Sequence, residues 1–237
     1  MENNKKFSLI ITLSILSILA ILAISTKYIN ESTTIETYSN TSQKSSESLN
    51  RLMKGNEKFI YASYNSSPID SSLRKSLYQN GQKPYAVILT CSDSRVVPED
   101  IFYTGLGELF VIRVAGNVID DSVLGSLEYA VEDLKIPLVV VMGHQKCGAV
   151  YAAKNINELS GSLAKTIQKI VPSFEKSKAL GGSDNEVGER AINFNIENSV
   201  NTIKENKVVK KHISDNSVMI IGANYNLETG KVMLLGK

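Results

Sequence analysis

Hydrophobic positions along this chain fall into two patterns, short unbroken runs and helically spaced stripes. Four runs, Tyr85 to Thr90, Leu109 to Val114, Leu138 to Met142 and Val218 to Ile221, are rich in Val and Ile and do not alternate with polar residues. That is how strands read in a parallel sheet whose two faces are both covered. Between the second and third runs, Val123, Leu124, Leu127, Ala130, Val131 and Leu134 recur on one helical face, and Pro137 blocks its continuation. The spacing predicts further helices over Cys147 to Asn155, over Leu163 to Leu180 with an interruption near Pro172, and over Val187 to Asn206. A last strand, Lys231 to Leu235, pairs as a hairpin with the fourth run, because Asn226 to Gly230 carries turn chemistry. The expected fold class is α/β, a mostly parallel central sheet with helices on both faces and an antiparallel edge hairpin.

Ahead of this domain the pattern changes twice. From Phe7 to Ser25, 14 of 19 residues are apolar and none is charged, behind Lys5 and Lys6. A basic start, a Leu/Ile-rich middle and Ala23-Ile24-Ser25 fit a signal peptide cleaved after Ser25. The same length fits an uncleaved membrane anchor, and both readings stand. Either one exports the chain, secreted or attached to the cytoplasmic membrane through residues 7–25. From Thr26 to Ser45, 11 of 20 residues are Ser, Thr or Asn, a polar linker with little to bury. Order is expected from Ser46, where Leu49, Leu52, Met53, Phe59 and Ile60 take helical spacing behind Ser46 and Glu47 as cap and first-turn acid. The organisation is then 1–25 as signal or anchor, 26–45 as linker and 46–237 as a single domain.

The chain has 237 residues, 26 basic and 24 acidic, with a formal net charge of +2 and no long basic run, so it carries no electrostatic footprint for nucleic acid. Its 15 Gly, 5 Pro and 2 Cys exclude collagen-like and disulfide-scaffold classes. The candidate chemistry lies in few residues. Cys91-Ser92-Asp93-Ser94-Arg95 follows the first strand, and Gly143-His144-Gln145-Lys146-Cys147-Gly148 follows the third. Both lie at carboxyl ends of parallel strands, where open α/β sheets keep their sites. Cys91, His144 and Cys147 make a good zinc set, since three protein ligands with a fourth position open is the catalytic arrangement and a structural site is usually closed by four. The spacing lets His144 and Cys147 reach one ion from a single turn, and Cys147 at a helix N-terminus has its thiolate favoured by the dipole.

The competing reading, a disulfide in an exported chain, gives no reason for His144 beside one cysteine and Asp93 with Arg95 beside the other. Taken alone, Asp93 and Arg95 read as a surface ion pair. His212, inside Lys210-Lys211-His212, reads as part of a solvated charged stretch. Gly105-Leu106-Gly107 is a turn, too short for a phosphate loop.

With those residues in view, the chain resembles the β-class carbonic anhydrases. The motifs are Gln82-Lys83-Pro84-Tyr85, Cys91 to Arg95, Gly107 to Arg113 with Ala115-Gly116-Asn117, Gly125 to Ala130, and Gly143 to Ala149. The resemblance runs from about Leu49 to the C-terminus. It implies one zinc ion per chain on Cys91, His144 and Cys147, with Asp93 and Arg95 as a catalytic dyad beside the metal. It implies a carbon dioxide pocket that includes Gln82, Phe110 and Tyr129, with the Gly148 backbone close to the metal-bound ligand. In the family that pocket forms across a dimer interface, so a homodimer or a multiple of it is implied. The implied activity is reversible hydration of carbon dioxide to bicarbonate and a proton by zinc-bound hydroxide. The chain departs from the family at Val114, where many members have Asn, and at Val96-Val97-Pro98. It has no Trp, and no C-terminal counterpart of the tyrosine that some bacterial members use to hold inhibitory bicarbonate, so an open site is implied. Two other readings fit the residues: hydrolysis of carbonyl sulfide or carbon disulfide at the same metal, and a non-catalytic exported binding module with structural zinc or a disulfide.

Overall fold

The structure, a computed structural model, describes residues 42–62, 65 and 69–236. The expected signal or anchor over 1–25 and most of the expected linker lie outside the described residues. Among the described residues no helix is long and apolar enough to cross a membrane.

Strands β1 (Ala86–Thr90), β2 (Leu109–Arg113), β3 (Leu138–His144), β4 (Met219–Tyr225) and β5 (Val232–Leu235) form one sheet in the order β2-β1-β3-β4-β5. The first four are parallel and β5 pairs antiparallel with β4, as the apolar runs and the turn over Asn226 to Gly230 predict. The runs are unbroken because both faces are covered. Val87, Leu89, Val139 and Val141 pack into one core, while Ala86, Ile88, Leu138, Val140 and Met142 pack into the other.

Helix α1 spans residues 42–61, so it starts ahead of the expected Ser46. Its inner stripe is Ser45, Ser48, Leu52 and Asn56, all buried. Three of these four are polar, which is why hydropathy underestimated the helix. Ser45 Oγ donates to the Pro137 carbonyl at 2.8 Å. Asn56 donates to the carbonyls of Ile101 and Gly230 and accepts from Val232 N–H, tying α1 to the start of β5. Helix α2 (Ser71–Asn80) has an Asp70 cap and no buried residue, so it leaves no apolar stripe to read. Helix α3 (Pro98–Ile101) is a single turn after β1.

The predicted amphipathic helix is α4 (Asp121–Glu128), which widens into a π-helical turn over Tyr129–Asp133. Helix α5 (Gly148–Ala152) runs into a 3-10 segment, Ala153–Glu158, and the stretch around Pro172 divides into α6 (Gly161–Gln168) and α7 (Val171–Lys178). Helix α8 (Asp184–Glu205) starts at a capping box between Ser183 and Glu186. Helix α9 (Lys207–Ser214) corrects the reading of His212 as solvated: His212 is buried. Its Nδ1 bonds Ser217 Oγ at 2.8 Å, and its Nε2 pairs with Glu132 of the π-helical turn. Lys210 and Lys211 do face solvent. The helix turns its Val209 and His212 face inward, which composition alone hides.

Candidate metal centre

After β1 the chain leaves toward β2, and after β3 it leaves toward β4, on the opposite side. Neighbouring parallel strands whose connections diverge leave a crevice at their carboxyl ends. Cys91 is the first residue beyond β1, His144 is the last of β3, and Cys147 is the N-cap of α5. The cluster therefore sits at the switch point of the sheet.

The potential ligand atoms of Cys91, His144 and Cys147 all lie within 4.8 Å of one another, and the three residues are buried. Both cysteines are free thiols with Sγ atoms 3.9 Å apart, nearly twice the length of a disulfide bond, so the bridge reading fails in this structure. His144 is fully buried; its Nδ1 lies 2.9 Å from the Gln145 carbonyl, which fixes a tautomer with the proton on Nδ1 and a lone pair on Nε2. That Nε2 has no hydrogen-bond partner, an uncommon and costly state for a buried nitrogen. An orphaned imidazole lone pair beside two thiols is the donor set that zinc takes, so the residues present fit the ion.

The thiols differ. Cys91 is held well below an ordinary thiol, first by the hydrogen bond from Cys147, against the effect of burial, and further by the Gly116 N–H. The latter donates to Cys91 Sγ at 3.3 Å. Gly116 has φ 68°, a conformation glycine takes without strain. Cys147 is pushed up, first because its proton is the one given to Cys91 and then by burial. The N–H groups of Val150 and Ala149 do favour its thiolate, as expected for a helix start, but they are outweighed. A cation between the sulfurs would favour both thiolates.

Asp93 lies at the solvent side, with Oδ2 3.8 Å from His144 Nε2. Arg95 holds it from both ends: its N–H and Nε donate to Oδ1 at 3.0 and 2.9 Å, and its Nη2 donates to Oδ2 at 2.7 Å. These bonds keep the carboxyl well below the usual range, and the Arg95 guanidinium is raised in turn by Asp93. Arg113, at the end of β2, donates from Nε to the Cys91 carbonyl and from Nη2 to the Asp93 carbonyl, pinning the loop that carries both residues. Arg113 and Gly116 lie within the sequence motifs without a role legible there; their contacts run through backbone atoms, which leave no compositional signal.

The predicted pocket residues are placed less closely. Phe110 and Tyr129 meet, with ring centroids 6.2 Å apart and planes tilted by 48°, and Tyr129 remains 47% exposed. Gln82 is exposed between α2 and β1, and Gly148 is exposed at the start of α5 beside Cys147. Among the described residues no hydrogen bond of Cys91, His144 or Asp93 reaches Gln82 or Tyr129.

Comparison with known proteins gives one consistent answer. The family model described as carbonic anhydrase matches residues 86–232. Carbonic anhydrase 2 of Mycobacterium tuberculosis is 39% identical over 188 residues, covering 77% of this chain and 89% of that protein. A Coccomyxa β-carbonic anhydrase, solved in complex with acetazolamide, aligns with a TM-score of 0.65 at 28% identity, over 70% of this chain and 78% of that one. A structure from a study of two tetrameric β-carbonic anhydrases of Sordaria macrospora shares the fold, with a TM-score of 0.62 at 23% identity over 70% of this chain and 92% of that one.

Proposed function

The chain belongs to the β-carbonic anhydrase family, enzymes that hydrate carbon dioxide, and we propose that its reaction takes place at one zinc ion held by Cys91, His144 and Cys147. The observation that carries this is the buried, unpartnered His144 Nε2 facing two free thiols, with the Asp93 carboxylate 3.8 Å away. Zinc bound there supplies the Lewis acidity that makes hydroxide available from water at neutral pH, an effect for which carbonic anhydrases are themselves the reference case.

The chain's own residues do the rest. Cys91 and Cys147 as thiolates neutralise a divalent charge that three imidazoles would leave in place. Asp93 compensates by accepting the proton side of the attacking water at Oδ2, which also aims an oxygen lone pair at the substrate carbon. Arg95 keeps that carboxylate ionised and occupies both of its oxygens, so Asp93 stays off the metal position. Gln82 donates an amide N–H to a substrate oxygen, and Phe110 with Tyr129 forms the apolar wall for the gas. The exposure of Gln82 and Tyr129 within one chain supports a pocket completed by a second copy, hence a homodimer or a multiple of it. The apolar stretch at residues 7–25, read as signal or anchor, supports a domain outside the cytoplasmic membrane.

Stopped-flow measurement of proton release from carbon dioxide, with and without a strong zinc chelator, tests the reading. Rapid release that depends on about one zinc per chain is the expected result. A chain whose cysteines are bridged and whose turnover ignores the chelator would overturn it.

A further inference from the structure

Helix α8 reaches both halves of the metal centre from behind. On the first side, Glu189 Oε1 accepts the backbone N–H of Lys146 at 3.0 Å and the Tyr151 hydroxyl at 3.2 Å. Lys146 stands between His144 and Cys147 with φ 52°, a left-handed conformation that a lysine keeps only where its surroundings hold it. On the other side, six residues further along α8, Asn195 Nδ2 donates to the Gly116 carbonyl at 2.7 Å, and the Gly116 N–H in turn donates to Cys91 Sγ. Ser199 extends the row by donating Oγ to the Asn117 carbonyl at 2.9 Å, and Asn117 is again left-handed, with φ 45°. Asn195 and Ser199 are each 1% exposed, so these bonds form where an unmet polar group is costly. The helix that carries them is 22 residues long, capped at its start, and packed across β3 and β4.

We propose that α8 is the positioning element of the metal centre. Glu189 sets the turn that carries His144 and Cys147, and Asn195, through Gly116, sets Cys91. The spacing of the ligands is thereby fixed by one rigid helix rather than by two independent loops. Neither residue touches metal or substrate; both act through the backbone of the loops they hold. The inference rests on the zinc reading above, and its test separates the two.

The experiment measures the zinc dissociation constant of the full chain by competition with a chromogenic chelator, together with alkylation rates of Cys91 and Cys147 in the metal-stripped chain, resolved by mass spectrometry. Glu189→Ala should weaken zinc binding by about 10- to 100-fold, the usual effect of removing a group that orients a metal ligand. It should also speed alkylation of Cys147 more than of Cys91. Glu189→Gln keeps an acceptor oxygen for the Lys146 N–H and should restore most of the affinity. Glu197→Ala, on the exposed side of the same helix, should match the wild type. Asn195→Asp, which removes the donor at nearly constant volume, should reverse the alkylation preference toward Cys91; if that variant fails to fold, the Glu189 pair decides alone. A folded Glu189→Ala chain with wild-type affinity and wild-type alkylation, or failure of Gln to rescue, would overturn the proposal. A wild-type chain that takes up no zinc would instead sink the zinc reading, and the alkylation rates would still decide the positioning.

Discussion

Arg95 spends three donors on one carboxylate although its side chain is 53% exposed, a geometry well beyond an ordinary surface pair. Its role in the proposed mechanism is to keep Asp93 ionised and turned away from the metal. Arg95→Ala should therefore abolish carbon dioxide turnover while the zinc content of the purified chain stays near one per molecule; full activity in that variant would refute the role. A second residue-scale prediction concerns the buried histidine away from the centre. Glu132 is held below its ordinary value of 4.5, first by the hydrogen bond with His212 and further by the charges of His212, Lys135 and Lys211. A carboxylate whose folded value is depressed contributes stability that is fully present above its unfolded value and is lost as pH falls through the folded one. Urea midpoints of wild type and Glu132→Gln should thus differ just above pH 4.5 and converge as pH drops below it. A gap that widens in acid would contradict the pairing.

At the scale of elements, the strands were legible and several helices were not, for a physical reason. Strands buried on both faces announce themselves as unbroken Val/Ile runs, and the observed bounds differ from the predicted ones mainly at strand ends, with β3 and β4 extending further. Helices α2 and α9 have few buried residues, so hydropathy carries little of them, and α1, legible from Ser46 onward, starts earlier because a serine, Ser45, is what it buries there. Helix α1 also depends on a missing side chain. A Cβ on Gly55 would lie 1.8 Å from the Phe102 carbonyl oxygen, a backbone atom that cannot swing aside. Gly55→Ala should push α1 off its seat and lower the unfolding free energy by about 1–3 kcal/mol, the usual cost of overpacking. Chemical denaturation checks this, with Tyr78→Ser, at a 91% exposed position of α2, as a control that should leave stability unchanged.

For the whole molecule, the proposed centre draws its ligands from one chain and leaves its proposed pocket open. All three candidate metal ligands and the Asp93–Arg95 pair come from one chain, whereas Phe110 lies on the edge strand β2 and Tyr129 remains half exposed beside it. An edge strand whose four apolar residues, Leu109 to Ile112, are only partly buried offers a surface to the proposed second copy. The zinc-loaded chain should sediment as a dimer or a multiple of one at micromolar concentration. A monomer that retains full turnover would remove the proposed second copy from the pocket.

The sequence by itself determined the strand pattern and the parallel sheet with its antiparallel edge, and it singled out Cys91, His144, Cys147, Asp93 and Arg95 as the candidates for chemistry. It could do so because burial on both faces and ligand chemistry are properties of residue type and spacing. Only the tertiary structure decided that β1 and β3 are neighbours whose connections diverge, and so that the two motifs meet at one crevice. It alone showed the orphaned Nε2 of His144, the burial of His212, and the contacts of Arg113, Glu189 and Asn195 with loop backbone. Those contacts join residues far apart in the chain through main-chain atoms that every residue type shares, and packing alone selects which of them meet.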